Sequence, residues 1–266
     1  MKKITVPELR AMKGRGEKIP VLTAYDFTMA SILSRAGLPL LLVGDSAGMV
    51  SAGLKTTLPV GMGDMLYHTK CVARGAGPAL VVADMPFGSY QGGASVALKN
   101  AVRLVKAGAG AVKLEGGLRA AHIIKAITDM DIPVMGHVGL TPQSVHRMGG
   151  FKVQGRSPES KKAIIEDAEA VASAGAFAVV IEGVPAKLAG DITASLTIPT
   201  IGIGAGAHCD GQVLVLNDML GLNAGDKAPH FVKKYIDMST LVSEAVKSFI
   251  SEVSQGTFPG DEHTYK

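Results

Sequence analysis

Tryptophan is absent from this 266-residue chain, and aromatic residues of all kinds make up only 5% of it. No block of lysine and arginine is interleaved with rings, so the sequence argues against a nucleic-acid partner. The net charge of +4, from 27 basic and 23 acidic residues, is too mild to alter that. No apolar run reaches the length of a membrane span, and the opening MKKITVPELRAMKG is too polar for the apolar segment of a secretory signal. The expectation is a soluble, cytoplasmic protein without a membrane partner. Cysteine is scarce as well. Cys71 and Cys209 could form at most one bridge, and neither lies in a C-x-x-C spacing, so both read as ordinary reduced thiols.

What the chain does have is a rhythm. Short apolar runs recur at residues 19–25, 39–44, 79–84, 111–115, 133–138, 177–182, 199–203 and 212–216. Their β-branched, nearly continuous apolar character predicts parallel strands buried on both faces. Helical segments lie between most of them. Residues 93–107 place Val96, Leu98, Val102, Leu104 and Val105 near one face, and Ser157-Pro158-Glu159 reads as a serine cap with proline at the first helical position. That helix is expected to stop at Gly175. Eight strand-helix units predict a single-domain (β/α)8 TIM barrel over residues 1–266. A short helical extension (1–18, capped by Thr5) precedes it, and a poorly ordered or oligomer-docked tail (255–266) follows. One link is too short: about five residues separate IGIGAG from QVLVL, where a crossover usually takes a dozen. Either the last unit is abbreviated or one of those two strands is misassigned.

Acids end several of the predicted strands: Asp45 after LLLVG, Asp84 after LVVA, Glu115 after VKL and Glu182 after VVI. A single acid in that position is ordinarily a helix cap or turn residue, and Asp26 reads as a cap. Four converging on the catalytic rim of a barrel are a different matter, because like charges at close range repel, and a divalent cation removes that cost. An oxygen-only donor set favours Mg²⁺ over zinc. Lys113, two residues before Glu115, shares its side of the strand. It reads either as a fixed positive charge in the site or as an ion-pair partner. His137, near the end of PVMGHV, reads as a pocket residue or a hydrogen-bonded core histidine. Such a site suits enolate chemistry on a 2-oxo acid. Glu182, standing apart in strand order after the apolar FAVVI, is the expected base, its pKa raised by that setting. The glycine run 201–206 lacks the sixth-position glycine of a dinucleotide fingerprint and reads as close backbone approach or strand-end turns.

The segments TAYD (23–26), LLVGDS (41–46), HT (68–69), VVADMPF (81–87), VKLEGG (112–117), GHVGLTPQSV (136–145), FKVQGR (151–156), IGIGAG (201–206), DGQVLVLND (210–218) and FPGDEH (258–263) together resemble the ketopantoate hydroxymethyltransferase family from end to end. The resemblance implies a (β/α)8 barrel in a homo-oligomer, commonly a decamer. It implies transfer of a hydroxymethyl group from 5,10-methylenetetrahydrofolate to 3-methyl-2-oxobutanoate through a Mg²⁺-stabilised enolate, with one Mg²⁺ per subunit. This is the first committed step towards pantothenate and coenzyme A. Matched residue by residue, Asp45 and Asp84 bind the metal and Glu115 belongs to the same metal site. Ser46 and Lys113 contact the substrate carboxylate, with Asp45 and Asp84 bordering it. Glu182 takes the C3 proton, and His137 lies in the pocket. Asn217 and His230 depart from the family pattern, where histidine and a basic residue are usual. The competing reading is a metal-dependent carbon–carbon lyase or mutase acting on another 2-oxo acid, with a Schiff-base aldolase using Lys113 as its variant. A non-catalytic sensor on the same barrel is a third, and the positioned base argues against it.

Overall fold

The computed structural model describes residues 3–222 and 228–265. Each of the eight apolar runs forms a strand: β1 (Ile19–Thr23), β2 (Leu40–Val43), β3 (Leu80–Asp84), β4 (Ala111–Lys113), β5 (Val134–Gly139), β6 (Ala178–Glu182), β7 (Thr200–Ile203) and β8 (Gly211–Leu214). All neighbours pair in parallel, and β8 returns to β1 to close the barrel. The intervening segments form α2 (Phe27–Arg35), the one-turn α3 (Ala47–Val50), α4 (Met62–Gly75), α5 (Ala94–Lys106), α6 (Leu118–Thr128), the short α7 (Val145–Met148), α8 (Pro158–Ser173) and α9 (Ala186–Ser195), with α1 (Val6–Gly14) ahead of the first strand. The (β/α)8 expectation holds.

Strand parity explains the interior. Ile19, Val21, Leu40, Leu42, Leu80, Val82, Ala111, Met135, Ala178, Val180, Ile201 and Val213 form one buried cluster, and where a strand contributes two they sit two residues apart. Leu9 of α1 and Phe177 join the same cluster, and the Ile4 N–H donates to the Pro78 carbonyl at 2.8 Å. The N-terminal helix is thus packed against the barrel core.

Several local expectations hold and others are corrected. Asp26 caps α2 by accepting from the Met29 N–H at 2.8 Å, and Ser157 caps α8 ahead of Pro158. Thr5 precedes α1, but its side chain makes no capping hydrogen bond. The buried face of α5 is Ala97, Asn100, Ala101 and Leu104, whereas Val96 and Val105 are exposed. Small residues let the helix approach the sheet, and Asn100 is satisfied by donating to the Ser89 carbonyl at 2.8 Å. β4 stops at Lys113 rather than at residue 115, because the Glu115 N–H leaves the ladder and donates to the Tyr90 hydroxyl at 3.1 Å.

The short link between β7 and β8 is an abbreviated unit: both strands are genuine and residues 204–210 join them without a helix. Seven extended residues span up to roughly 23 Å, enough to run back along a four-residue strand. A polar lock secures that link. The Asp210 carboxylate Oδ2 accepts from Lys13 Nζ at 2.8 Å, from the Thr200 N–H at 2.8 Å and from Thr200 Oγ1 at 3.1 Å.

The contacts within the chain divide it into Met1–Val215 and Leu216–Lys266. The second unit carries α10 (Leu216–Leu220) and α11 (Met238–Gln255). Its end folds back on α11: the Thr257 N–H donates to the Glu252 carbonyl at 2.9 Å, and the Phe258 ring meets Phe249 edge-on. Among the described residues no helix is long and apolar enough to cross a membrane.

Replacing Asp210 with alanine removes the shared acceptor of three donors at the abbreviated link and leaves the Thr200 N–H without it, while Lys13 and the Thr200 hydroxyl keep contacts with Thr193. We expect a loss of about 2–3 kcal/mol in urea unfolding, with Asp210→Asn milder. A midpoint unchanged for the alanine variant would remove the lock from this account.

Candidate active site

The inward parity that builds the core continues to the C-terminal ends of the strands and there turns polar. On β3 the series Leu80, Val82 ends in Asp84. On β4 it runs Ala111, Lys113 and, just past the strand, Glu115. On β5 Met135 is followed by His137, and on β6 Ala178 and Val180 are followed by Glu182. Asp45 arrives by another route, after Gly44 breaks β2. An added Cβ at Gly44 would lie 2.6 Å from Ser46 Oγ and 3.7 Å from Asp84 Oδ2. Glycine therefore lets the chain turn tightly there, and the Asp45 N–H donates to Asp84 Oδ2 at 3.0 Å.

Asp45, Asp84, Lys113, Glu115 and His137 are all buried, each 3–6% exposed. Asp84 and Lys113 are register partners on adjacent strands, and Lys113 Nζ lies 2.8 Å from Asp84 Oδ1. The approach is off the line of a hydrogen bond, so Asp84 Oδ1 is paired in charge yet keeps unused lone pairs. His137 stands between two acids, with Nδ1 3.5 Å from Glu115 Oε1 and Nε2 3.1 Å from Glu182 Oε2. Neither ring nitrogen is aligned for a hydrogen bond, which makes these charge contacts rather than directed bonds. Glu182 is therefore not isolated on its side of the barrel, as the strand order suggested; it has the imidazole of the neighbouring strand.

The electrostatics follow from this crowding. Burial, then the Asp84 and Glu115 charges, push Asp45 up to about 7, against the pull of Lys113 and a hydrogen bond from Gln143. Burial and Lys113 press His137 down, but the contacts with Glu115 and Glu182 prevail and lift it to about 9. Burial also opposes charge on Lys113, and Asp84, Glu115 and Asp45 outweigh it, so the ammonium is held protonated.

Three residues that reading the sequence did not single out complete the site. Tyr25 places its hydroxyl 2.9 Å from Ser46 Oγ, which sits half-buried beside Asp45. Tyr90 accepts from the Glu115 N–H and lies 2.9 Å from Gln143 Oε1. Gln143 donates from its own N–H to Glu115 Oε2 at 3.0 Å and from Nε2 to Asp45 Oδ2 at 2.9 Å. Tyr25 and Gln143 fall inside the TAYD and GHVGLTPQSV segments, but neither has a charge or spacing that marks it.

The donor set suits a hard divalent cation. Asp45 and Asp84 are buried neighbours, joined through the Asp45 N–H, and one carboxylate atom, Asp84 Oδ1, is buried without a hydrogen bond. Among the described residues no three His, Cys, Asp or Glu side chains converge closely enough to hold an ion alone. Two carboxylates supplemented by oxygens from water or a substrate is the usual arrangement for Mg²⁺.

The sequence profile of the ketopantoate hydroxymethyltransferase family matches residues 3–261. The chain belongs to this family. It is 58% identical over 265 residues to a 3-methyl-2-oxobutanoate hydroxymethyltransferase of Trichlorobacter lovleyi, covering 99% of both chains. It is also 58% identical to one of Geobacter sulfurreducens, covering 98% of both. Among solved structures, it resembles a phosphonopyruvate hydrolase complexed with oxalate and Mg²⁺, with a TM-score of 0.62 and 14% identity over 99% of this chain and 92% of that one. A phosphoenolpyruvate phosphomutase from Streptomyces platensis aligns with a TM-score of 0.64 and 19% identity over 98% and 92%. At such identities these two share the fold.

The two raised pKa values predict a pH dependence of stability in protein stripped of divalent ions. Asp45 binds a proton more tightly when folded, so its contribution is complete below 3.8 and is lost as pH rises through about 7. His137 contributes fully below 6.5 and loses that contribution as pH rises through about 9. Thermal melts should therefore fall steadily from pH 5 to 9, and Asp45→Asn should flatten the lower part of the slope. A melting temperature rising over that range would contradict the crowding.

Proposed function

We propose that this protein transfers a hydroxymethyl group from 5,10-methylenetetrahydrofolate to 3-methyl-2-oxobutanoate, giving 2-dehydropantoate on the route to pantothenate and coenzyme A, in the cytoplasm. The observation that carries the reading is the polar arc across β3, β4, β5 and β6, in a chain whose relatives carry that name over their full length. Mg²⁺, one per subunit, would be held by Asp45 and Asp84 with Glu115 beside them, and when bound it would polarise the 2-oxo group. Lys113 and Ser46 face the substrate's carboxylate end, the one with a fixed charge and the other with a hydroxyl that Tyr25 orients. Glu182 removes the proton from C3, and His137 holds that carboxylate in place from the neighbouring strand. Water first adds to the methylene carbon of the folate, whose C–N bonds break as tetrahydrofolate leaves and a formaldehyde equivalent is released. The carbanion equivalent at C3 then bonds to that carbon, and its oxygen takes up a proton to become the hydroxyl.

Homo-oligomerisation is part of the proposal, with a decamer the expected form. Val242, Val246, Phe249, Ile250 and Val253 recur on α11 at the spacing of one helical face, each about half exposed, and no residue of that helix is buried. We expect Ile250→Asp to lower the mass measured by light scattering. A variant that keeps the wild-type mass would detach the helix from assembly.

The chemistry is tested by product formation with the oxo acid, methylenetetrahydrofolate and Mg²⁺, each omitted in turn. Turnover without folate would favour a lyase or mutase. Glu182→Gln is expected to abolish exchange of the C3 proton in deuterated water, by at least about 100-fold, with metal affinity nearly unchanged. Undiminished exchange would remove Glu182 from the role of base.

A further inference from the structure

Gln143 enters the site from the turn after β5, in the 3₁₀ turn Pro142–Ser144, and is 6% exposed. Every polar group of its side chain is engaged. Nε2 donates to Asp45 Oδ2 at 2.9 Å and to the Met85 carbonyl at 3.0 Å. Oε1 receives the Tyr90 hydroxyl at 2.9 Å and Gln91 Nε2 at 3.3 Å. Two acceptors at one end and a hydroxyl at the other assign the amide orientation chemically. The Tyr90 hydroxyl also accepts the Glu115 N–H at 3.1 Å and lies 3.1 Å from the Glu115 carbonyl; with its one proton on the nearer acceptor, Gln143 Oε1, the series Glu115 N–H, Tyr90 O–H, Gln143 N–H runs in one direction and ends on Asp45.

We propose that Gln143 is a positioning residue for the cation site: it fixes Asp45 by one carboxylate oxygen and leaves the other free to face a divalent ion. The inference rests on the metal reading above. A neutral amide is the suitable donor. An arginine or lysine there would hold Asp45 equally well but would offset the charge that attracts the cation, as Lys113 already does at Asp84. Through its main-chain N–H the same residue holds Glu115, so one turn sets carboxylates delivered after β2 and after β4. Outer partners of this kind commonly govern metal affinity by one to two orders of magnitude.

The test uses the full-length protein and divalent metal alone. Binding of Mg²⁺ is followed by titration calorimetry, and that of Mn²⁺ by the loss of its free paramagnetic resonance signal. Gln143→Met, close in shape but unable to hydrogen-bond, is expected to weaken both by about 10- to 100-fold, and Tyr90→Phe by a smaller factor in the same direction. In turnover, the Mg²⁺ concentration for half-maximal rate should rise more than the saturated rate falls. Should Gln143→Met fail to fold, Tyr90→Phe and Gln143→Asn, too short to reach Asp45, supply the same readout. Folded variants that bind metal within twofold of wild type, while Asp45→Asn does not bind, overturn the role of Gln143 and leave the metal site intact. A wild-type protein that binds neither ion overturns both.

Discussion

The constraint on which this structure turns is the burial of like charges. Asp45, Asp84 and Glu115, with the half-buried Glu182, lie at one mouth of the barrel, where the protein interior screens their repulsion poorly. The chain offers two formal positive charges in return: Lys113 against Asp84, and His137 between Glu115 and Glu182. Counted at full ionisation, the six groups leave an excess of two negative charges. The rise of Asp45 to about 7 comes first from burial and then from the Asp84 and Glu115 charges, which carry that excess in the protein alone. A divalent cation matches it in charge and in its preference for oxygen. The balance makes the rest intelligible: a neutral amide at Asp45, a peptide N–H at Asp84, and a glycine where the two acids must approach.

The barrel supplies this site at little cost in regularity, because the polar residues are continuations of the core. Leu80-x-Val82-x-Asp84 and Ala178-x-Val180-x-Glu182 obey the same two-residue period that fills the interior. β3, β4, β5 and β6 each close their apolar series with inward polar groups at the C-terminal end, where this fold carries its chemistry. Neighbouring strands then set the spacing between groups, as with the register of Asp84 and Lys113.

That period is why so much could be read before any coordinates. The eight apolar runs, the acids that end four of them, and the shared side of Lys113 and Glu115 all follow from local alternation. Boundaries were less legible, because what ends β4 is a hydroxyl from Tyr90, 25 residues earlier in the chain. The inward face of α5 was misjudged for a related reason: close packing against the sheet selects Ala97 and Ala101 over Val96 and Val105, and hydropathy alone ranks valine higher. Gln143 reaches Asp45 across 98 residues of sequence, and a neutral amide in a turn has no charge or periodicity to mark it. Only topology brings those two positions together.

The fold itself does not choose the reaction, since a hydrolase and a mutase share it at 14–19% identity. What bears on the reaction is how this chain's own charges are ordered around the mouth. Asp45 and Asp84 occupy the end after β2 and β3, Glu182 sits on β6, and Lys113, Glu115 and His137 fill the strands between. A cation and a proton acceptor placed together would neutralise one another, and the carboxylate would lose its basicity to the metal. On the reading proposed above, β4 and β5 separate the acids that would hold the cation from Glu182, and the imidazole of His137 lies between Glu182 and Glu115. On that same reading a small 2-oxo acid held by its oxygens at one end would present its C3 hydrogen to a carboxylate at the other. The separation of those two functions along one arc is what makes deprotonation next to a carbonyl the chemistry that this mouth favours.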